Sequence, residues 1–304
     1  MRGISFDVKR GQVFGVVGES GCGKTATGRA LIRLVPPPGR IAEGRILYHG
    51  EDLLAKPEAA MRSLRGRRIA MVFQDPSAAL NPVFTVGQQL VGIMHRHGVA
   101  TGIAARRRAL DLLGELGLPS PADMFGRYPH QLSGGMQQRV MLSMALAADP
   151  DLIIADEATT ALDVTVQAQI VELLLRLQRE RGLTIIFITH DLGLVAEICD
   201  HVAVLYLGRI VEEGDTDSIF HDTRHPYTRG LLAALPSDKT WGKPLNVIPG
   251  SVPTATKDLP GCSFAPRCPA VMEICRIIDP ATATFSAQHK AACHLYPVEG
   301  ARDA

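Results

Sequence analysis

The chain has 304 residues, of which 32 are Lys or Arg and 31 are Asp or Glu, so its formal net charge is +1 at pH 7. This length allows about two domains with a substantial core, and the balance of charges gives no indication of a nucleic-acid partner. Because no run approaches the ~18 apolar residues that a spanning helix needs, we expect a soluble chain that is not exported.

The first predicted element is a strand at residues 13–17, VFGVV, which a glycine-rich loop follows at once. Residues 24–35, KTATGRALIRLV, predict a helix that ends at the prolines of PPPG. Residues 44–53 predict a hairpin, and residues 67–76 predict a strand that ends in a turn. Between about residues 84 and 147 the pattern is helical, with breaks at GLPSP and YPHQLSGG.

Two further apolar strands are predicted at residues 151–156, DLIIAD, and 183–189, LTIIFIT. The helix between them has apolar side chains at helical spacing: Val166, Ile170, Leu173, Leu174 and Leu177. Alternating strands and helices predict an α/β fold with a mostly parallel sheet that is covered on both faces. After residue 220 the composition shifts to Pro, Thr and Cys, so we place a domain boundary between residues 1–220 and a C-terminal extension at 221–304.

The glycine-rich loop GESGCGKT, residues 18–25, fits the pattern G-x-x-x-x-G-K-[ST] between a predicted strand and a predicted helix. In this context its backbone N–H groups are expected to surround phosphate oxygens. Lys24 would reach the β- and γ-phosphates, Thr25 would bind Mg²⁺, and Cys22 is interpreted as a small side chain rather than a redox switch. The expected nucleotide contacts are Gly18, Glu19, Ser20, Gly21, Cys22, Gly23, Lys24 and Thr25.

Acidic residues stand at the end of the next buried strand, where Glu157 follows Asp156. We expect Asp156 to hold Mg²⁺ and Glu157 to polarise the water that attacks the γ-phosphate. His190 directly follows the strand LTIIFIT, at the edge where open parallel sheets bind ligands. We therefore predict a contact between His190 and the γ-phosphate.

A second Ser-Gly-Gly stretch, LSGGMQQR at residues 132–139, opens another predicted helix. It could be an ordinary N-cap, or an anion site that serves a different subunit. The sequence also contains the phosphate loop, Gln74, LIIADE, ALD at 161–163 and His190. Together with LSGGMQQR, these residues resemble the ATP-binding subunit of an ABC transporter over residues 1 to about 220.

The resemblance implies a P-loop NTPase core with a helical subdomain at about 84–147, a truncated antiparallel subdomain and the cofactors ATP and Mg²⁺. It also implies a head-to-tail dimer in which Ser133, Gly134 and Gly135 of one subunit cap the γ-phosphate held by the other. Gln74 would take part in catalysis and in binding Mg²⁺, and Asp163 would contact the nucleotide.

Four stretches narrow the resemblance: QDPSAALNPVFTVGQQL (74–90), HPYTRGLLAALP (225–236), IPGSVP (248–253) and the C-terminal cysteine pattern. They are similar to the dipeptide/oligopeptide and nickel importer branch. This implies an ATPase that powers peptide import from the cytoplasmic face of the inner membrane, with nickel or another solute as the alternative. The implied partners are a second, related ATPase chain and two membrane permeases, which meet the Gln74 segment and the helical region beyond it. An extracytoplasmic solute-binding protein is implied indirectly, and no nucleic acid is implied.

Members of that family carry a further strand and an adenine-stacking aromatic residue upstream of the position where this sequence starts. We therefore expect a misplaced start, with Met1 corresponding to an internal position of a longer protein. The alternative is a real short form, which would lose base stacking and one edge strand and would bind ATP less tightly. The aromatic residues near the start, Phe6, Phe14 and Tyr48, receive no assignment as the stacking residue from the sequence.

Four cysteines, Cys262, Cys268, Cys275 and Cys293, fall in the C-terminal extension. Four thiols suit one tetrahedral metal ion or one iron–sulfur cluster, and their spacing does not separate Zn²⁺ from a cluster. Disulfides, which rarely persist beside a cytosolic ATP site, and independent buried thiols are the alternatives. The resemblance favours a 4Fe–4S cluster. His289 and His294, which flank Cys293, would be substitute ligands if one cysteine were too far away.

Two other functions are weighed against a transport ATPase. A soluble ABC-type ATPase of DNA repair would usually show two cassettes, a coiled coil or a basic face, and the sequence shows none of them. An inactive cassette is disfavoured because Lys24, Asp156, Glu157 and His190 are all present.

Overall fold

The structure is a computed structural model that describes residues 1–158, 164–235, 247–253 and 260–296. Its strands are β1 Val13–Val17, β2 Leu47–Tyr48, β3 Glu51–Asp52, β4 Ile69–Val72, β5 Leu152–Asp156, β6 Thr184–Thr189, β7 His201–Tyr206, β8 Arg209–Asp215, β9 Thr282–Ser286 and β10 His289–Ala292. Its α-helices are α1 Lys24–Leu31, α2 Glu58–Leu64, α3 Pro76–Ala79, α4 Val86–Arg96, α5 Gly102–Glu115, α6 Pro121–Gly126, α7 Gly134–Leu146, α8 Val164–Arg181, α9 Leu192–Ile198, α10 Thr216–His221 and α11 Pro226–Ala233.

The chain folds into two compact units. The first unit comprises Met1–Val8, Val13–Thr27 and Thr189–Ala304, and the second comprises Lys9–Gln12 and Gly28–Ile188. The C-terminal extension thus belongs to the same unit as the glycine-rich loop. The domain boundary near residue 220 stays a prediction.

In the second unit β4, β5 and β6 form parallel pairs in that order, with Ile154 of β5 opposite Met71 of β4 and Ile186 of β6. The apolar runs of β5 and β6 are buried on both faces, as expected for parallel strands covered by helices. The predicted helical region forms α4, α5, α6 and α7, which pack on one another. It has one break more than predicted, between Arg96 and Gly102, where Gly98 adopts a positive φ of 65°.

Helix α1 is shorter than predicted, because it ends at Leu31 rather than at residue 35. Arg33 takes the left-handed conformation with a φ of 54°. The N–H of Leu34 then donates to the carbonyl of Arg29 at 2.8 Å, and the N–H of Arg33 donates to that of Ala30 at 3.0 Å. These two bonds form a Schellman end, in which glycine usually occupies the left-handed position. Since an arginine stands there, the sequence contains no stop signal before the prolines.

In the first unit β1 pairs with β7 in parallel, and β7 forms an antiparallel hairpin with β8. Strand β10 pairs antiparallel with β8 and also with β9, so strands of the C-terminal extension continue the sheet. The fold is therefore the predicted mixed α/β type with a mostly parallel core. The extension contains helix α11 and two strands where the sequence shows little periodicity.

A buried carboxylate connects β8 to the extension. Glu212 is 1% exposed, and it accepts hydrogen bonds from the backbone N–H groups of Arg224 at 2.6 Å and His225 at 3.0 Å. Its Oε1 also lies 3.0 Å from Nε2 of His289 on β10. These hydrogen bonds offset the cost of burying the Glu212 carboxylate, and they fix the start of α11 against the sheet.

Within the described part of the chain, no helix combines the length and the apolar character needed to cross a membrane.

Candidate functional site

The predicted phosphate loop lies in the first unit, directly after β1. Gly18 has a φ of 152°, and a Cβ there would lie 2.2 Å from the carbonyl oxygen of Leu205 and 2.8 Å from Sγ of Cys22. Any side chain at this position would therefore displace backbone atoms of the neighbouring strand. Gly21 and Gly23 also have positive φ angles, of 80° and 109°. The loop requires glycine for its backbone path, as the pattern predicts.

Lys24 opens α1 and is only 5% exposed. Its Nζ donates to the carbonyl oxygens of Gly18 at 2.7 Å and Glu19 at 3.1 Å, so the ammonium group lies within the curve of the loop. Thr25, the second residue of the helix, is half-buried. A cation inside a glycine-rich turn at a helix N-terminus is suited to bind phosphate.

The Cys22 thiol is 1% exposed, and burial raises its pKa above the ordinary value although Lys24 acts in the opposite direction. A protonated, inaccessible thiol is a poor nucleophile. The geometry supports the interpretation of Cys22 as a small side chain whose backbone lines the loop.

The acidic residues lie in the second unit, at the end of β5. Asp156 is the last residue of the strand and is 2% exposed. Glu157 follows it in a left-handed conformation with a φ of 48°, and its N–H donates to the carbonyl of Ile188 at 2.9 Å. Nε2 of Gln74 donates to Oε2 of Glu157 at 2.9 Å, so the structure brings these two predicted residues together. An unfavourable backbone conformation held in this way is typical of functional positions.

His190 lies in the first unit, directly after β6, and is exposed. The chain on its C-terminal side is fixed, because the N–H of Asp191 donates to Oγ1 of Thr189 at 3.0 Å and Asp191 caps helix α9 through the N–H of Leu194 at 3.1 Å. The imidazole is therefore presented from a defined turn.

The Ser-Gly-Gly stretch opens α7 in the second unit. Oγ of Ser133 accepts from the N–H of Met136 at 3.4 Å, so Ser133 is the N-cap. Ser133 and Gly134 are exposed and Gly135 is half-buried, which leaves this helix N-terminus accessible to an anion. Asp163 lies outside the described residues.

Gln89, which the sequence did not indicate, forms three hydrogen bonds with the backbone of the loop at residues 81–84. Gln89 accepts from the N–H of Asn81 at 3.0 Å, and its Nε2 donates to the carbonyls of Asn81 and Phe84, both at 3.0 Å. The loop exposes two apolar side chains, Val83 at 70% and Phe84 at 48%.

Each of the three aromatic residues near the start, Phe6, Phe14 and Tyr48, has a partner in the structure. Phe14 is fully buried and stacks on Phe6, with ring centroids 5.0 Å apart. The hydroxyl of Tyr48 donates to Asp151 at 2.9 Å. Burial excludes Phe14 as the residue that stacks on adenine.

The four C-terminal cysteines are free thiols in the first unit. Burial, with the neighbouring thiols as a smaller cause, raises the pKa values of Cys262, Cys268 and Cys293, the last to about 11. The N–H of Cys262 donates to the carbonyl of Cys275 at 2.8 Å.

The expected metal site at these cysteines is not supported. Across residues 1–158, 164–235, 247–253 and 260–296, the structure contains no group of three or more His, Cys, Asp or Glu placed to hold one metal ion. Of the suggested substitute ligands, His289 contacts Glu212, and Nε2 of His294 lies 2.8 Å from the carbonyl of Ile278. A four-thiolate Zn²⁺ site is therefore not formed in this structure.

Comparisons with known proteins bear on the whole chain. Residues 1–160 match the family described as ABC transporter, and residues 211–275 match the oligopeptide/dipeptide transporter C-terminal region. The dipeptide transport ATP-binding protein DppD of Bacillus subtilis (strain 168) is 46% identical over 97% of this chain and 88% of its own length. The oligopeptide transport ATP-binding protein OppD of the same organism is 48% identical over 90% of this chain and 77% of its own length.

Solved structures agree with these sequence matches. The ATP-binding cassette MJ0796, in a dimeric post-hydrolysis state bound to ADP and Pi, is 28% identical with a TM-score of 0.63. The match covers 70% of this chain and 89% of that one.

Proposed function

Because this chain belongs to the ABC transporter ATP-binding proteins, in the dipeptide and oligopeptide branch, we propose that it hydrolyses ATP to power peptide import. The observation that carries the ATPase assignment is the complete phosphate loop, with Lys24 donating to the carbonyls of Gly18 and Glu19. The inference that the imported solute is a peptide rests on the names of the relatives. Nickel remains the alternative solute, and an uptake assay with a dipeptide and with Ni²⁺ separates the two.

We assign the reaction steps to this chain's own residues. The loop N–H groups and Lys24 would neutralise the β- and γ-phosphates, and His190 would contact the γ-phosphate. Thr25, Asp156 and Gln74 would hold Mg²⁺, which supplies charge neutralisation when bound. Glu157 would accept a proton from the attacking water, and its hydrogen bond from Gln74 orients the carboxylate for this.

Membership of the family implies dimerisation and membrane permease partners in general. We propose that the second subunit is a related chain arranged head to tail. Ser133, Gly134 and Gly135 would then cap the γ-phosphate bound to the partner, since this helix N-terminus is accessible. Asp163 would contribute to the same nucleotide contacts.

The loop that Gln89 holds is proposed as the contact with the permeases, from a peripheral position on the cytoplasmic face of the inner membrane. An extracytoplasmic binding protein would act through those permeases. Val83 and Phe84 support this proposal, because a rigid loop that exposes two apolar side chains is suited to fill a pocket of a partner.

Replacing both residues, Val83→Ser with Phe84→Ser, should lower peptide uptake by the complete importer in membrane vesicles. The loss should be at least about tenfold, because two apolar side chains would no longer be buried on docking. ATP hydrolysis by the isolated subunit should be unchanged. Leu47→Ser on β2, at a side chain that is 61% exposed and outside the helical region, is the matched control and should not affect uptake. Equal uptake by the double variant and wild type would contradict the docking role.

We also propose that the four cysteines are the donors for a 4Fe–4S cluster. Burial raises the pKa values of Cys262, Cys268 and Cys293, so their thiolates would need a compensating cation. The thiolate ligands of a four-iron cluster lie farther apart than those of one metal ion, which is compatible with the lack of a single-ion site among the described residues.

Protein purified without oxygen should contain iron and acid-labile sulfide, about four of each per chain, with visible absorption. Cys268→Ser should lose them, whereas Cys199→Ser, at a buried thiol outside the set, should keep them. Zinc alone, or no metal, would refute the cluster and leave the ATPase assignment intact.

A further inference from the structure

Two residues of the C-terminal extension form hydrogen bonds with Glu19 of the phosphate loop. Nη1 of Arg267 donates to Oε2 of Glu19 at 2.6 Å, and Nη2 donates to Oε1 at 2.9 Å. The Arg267 side chain is 4% exposed and that of Glu19 is 28% exposed. A bidentate pair with a buried guanidinium is among the strong charge-assisted contacts, unlike an exposed ion pair.

The guanidinium of Arg267 is itself fixed by the chain around it. Its Nε donates to the carbonyl of Pro249 at 3.0 Å, and Nη2 also reaches the carbonyl of Ile248 at 3.4 Å. Nη1 lies 3.5 Å from the hydroxyl of Tyr206. The hydrogen bonds with Glu19 are the main cause that raises the pKa of Arg267. Arg267 therefore presents a rigid, charged pair of donors to the loop.

A second residue of the extension holds the backbone of Glu19. The N–H of Glu19 donates to the hydroxyl of Tyr227 at 2.9 Å. Tyr227 is fully buried, with its ring 4.6 Å from that of Tyr206 and 5.3 Å from that of Phe264. Its backbone N–H donates to Nδ1 of His225 at 3.0 Å, and burial lowers the pKa of His225 to about 3, so the imidazole stays neutral and can accept.

Every polar group of Glu19 thus has a partner, since its carbonyl accepts from Nζ of Lys24 at 3.1 Å. Two effects on nucleotide binding follow. The carboxylate is paired with a cation, so it does not repel the phosphates beside it. The backbone at the start of the loop is fixed before the nucleotide arrives, which lowers the entropic cost of binding.

We propose that Arg267 is a positioning residue of the ATP site, through which the C-terminal extension sets the affinity of the phosphate loop for nucleotide. This inference rests on the proposed function, because it requires that residues 18–25 bind the phosphates of ATP. Arg267 does not touch the nucleotide and acts through Glu19.

The test measures the Kd for Mg²⁺–AMP-PNP with the full chain, together with KM and kcat for ATP. Arg267→Met should raise the Kd by about 10- to 100-fold, the effect expected for losing charge-assisted hydrogen bonds. KM should rise in parallel while kcat at saturating ATP is nearly retained. Arg267→Lys, which keeps the charge but not the bidentate geometry, should give a smaller rise.

A second substitution distinguishes positioning from general support of the fold. Adding Glu19→Gln to Arg267→Met removes the unpaired carboxylate, so the double variant should recover much of the lost affinity. A purely structural role would instead make the Kd follow the thermal midpoint in every variant, because removing an unpaired carboxylate also relieves a destabilised fold. Should Arg267→Met fail to fold, as judged by its thermal midpoint without nucleotide, Arg267→Lys and Glu19→Gln give the same comparison.

The matched control is another arginine–carboxylate pair that attaches the extension, between Arg209 of β8 and Asp279. Asp279→Ala removes the carboxylate of that pair, which makes no contact with Glu19 in the interactions described above, and it should leave the Kd unchanged. An equal rise of the Kd in Asp279→Ala and Arg267→Met, or no change in Arg267→Met, would overturn the inference. A wild-type chain that binds no AMP-PNP would instead refute the proposed function itself.

Discussion

Glu157→Gln should lower ATP hydrolysis by about 10²- to 10⁴-fold, the usual contribution of a positioned general base, while nucleotide binding is kept. The substitution preserves the size of the side chain and an oxygen that can accept from Gln74, but it removes the basic carboxylate. Phosphate release at saturating ATP measures the loss, and the Kd for Mg²⁺–AMP-PNP measures binding.

The control for this variant is Asp151→Asn, a carboxylate next to the opposite end of β5 that accepts from Tyr48 at 2.9 Å. This variant should release phosphate at nearly the wild-type rate. Unchanged phosphate release by Glu157→Gln would show that Glu157 is not the general base.

Lys24→Ala should abolish tight nucleotide binding, with a Kd for Mg²⁺–AMP-PNP raised at least about 100-fold, which corresponds to roughly 3 kcal/mol. The substitution removes the cation from the loop, and it also leaves the carbonyls of Gly18 and Glu19 without their donor. The loop should therefore lose both its charge and part of its shape.

Lys56→Ala is the corresponding control, since Lys56 pairs with Glu51 on the surface hairpin of β2 and β3. Its Kd should equal that of the wild type. Normal affinity in Lys24→Ala would contradict the phosphate-binding role of the loop. The two variants also separate the roles, because Glu157→Gln should change turnover alone and Lys24→Ala should change binding first.

The sequence predicted the strands β1, β5 and β6 well because their signal is local, whereas the buried strand β7 at His201–Tyr206 was not predicted. Strand β1 has the predicted limits, and β5 and β6 each begin one residue later than predicted, at Leu152 and Thr184. A continuous apolar run between glycines or polar residues is typical of a strand buried on both faces. The end of α1 was missed for an equally local reason, namely that an arginine occupies the left-handed position at Arg33.

The residues of the candidate site likewise comprise some that a local pattern predicts and others whose role depends on contacts distant in sequence. The glycine pattern predicts the loop, and the strand ends predict Asp156 and Glu157. Tyr227 and Arg267 could not be found from the sequence, because their importance lies in contacts with Glu19 that are 208 and 248 residues away along the chain. The role of Gln89 was missed because its hydrogen bonds go to backbone carbonyls, which no motif records.

The distance of 248 residues between Glu19 and Arg267 also has a consequence for biosynthesis. Ribosomes add about 5–20 residues per second, so the phosphate loop leaves the ribosome roughly 12–50 s before the arginine that holds it. Strand β1 likewise cannot pair with its parallel neighbour β7 until the residues from His201 onward have been synthesised. A growing chain therefore carries a loop without these contacts until residue 267 has been added. If Arg267 has the proposed role, the loop reaches its full affinity for ATP only after that residue has emerged.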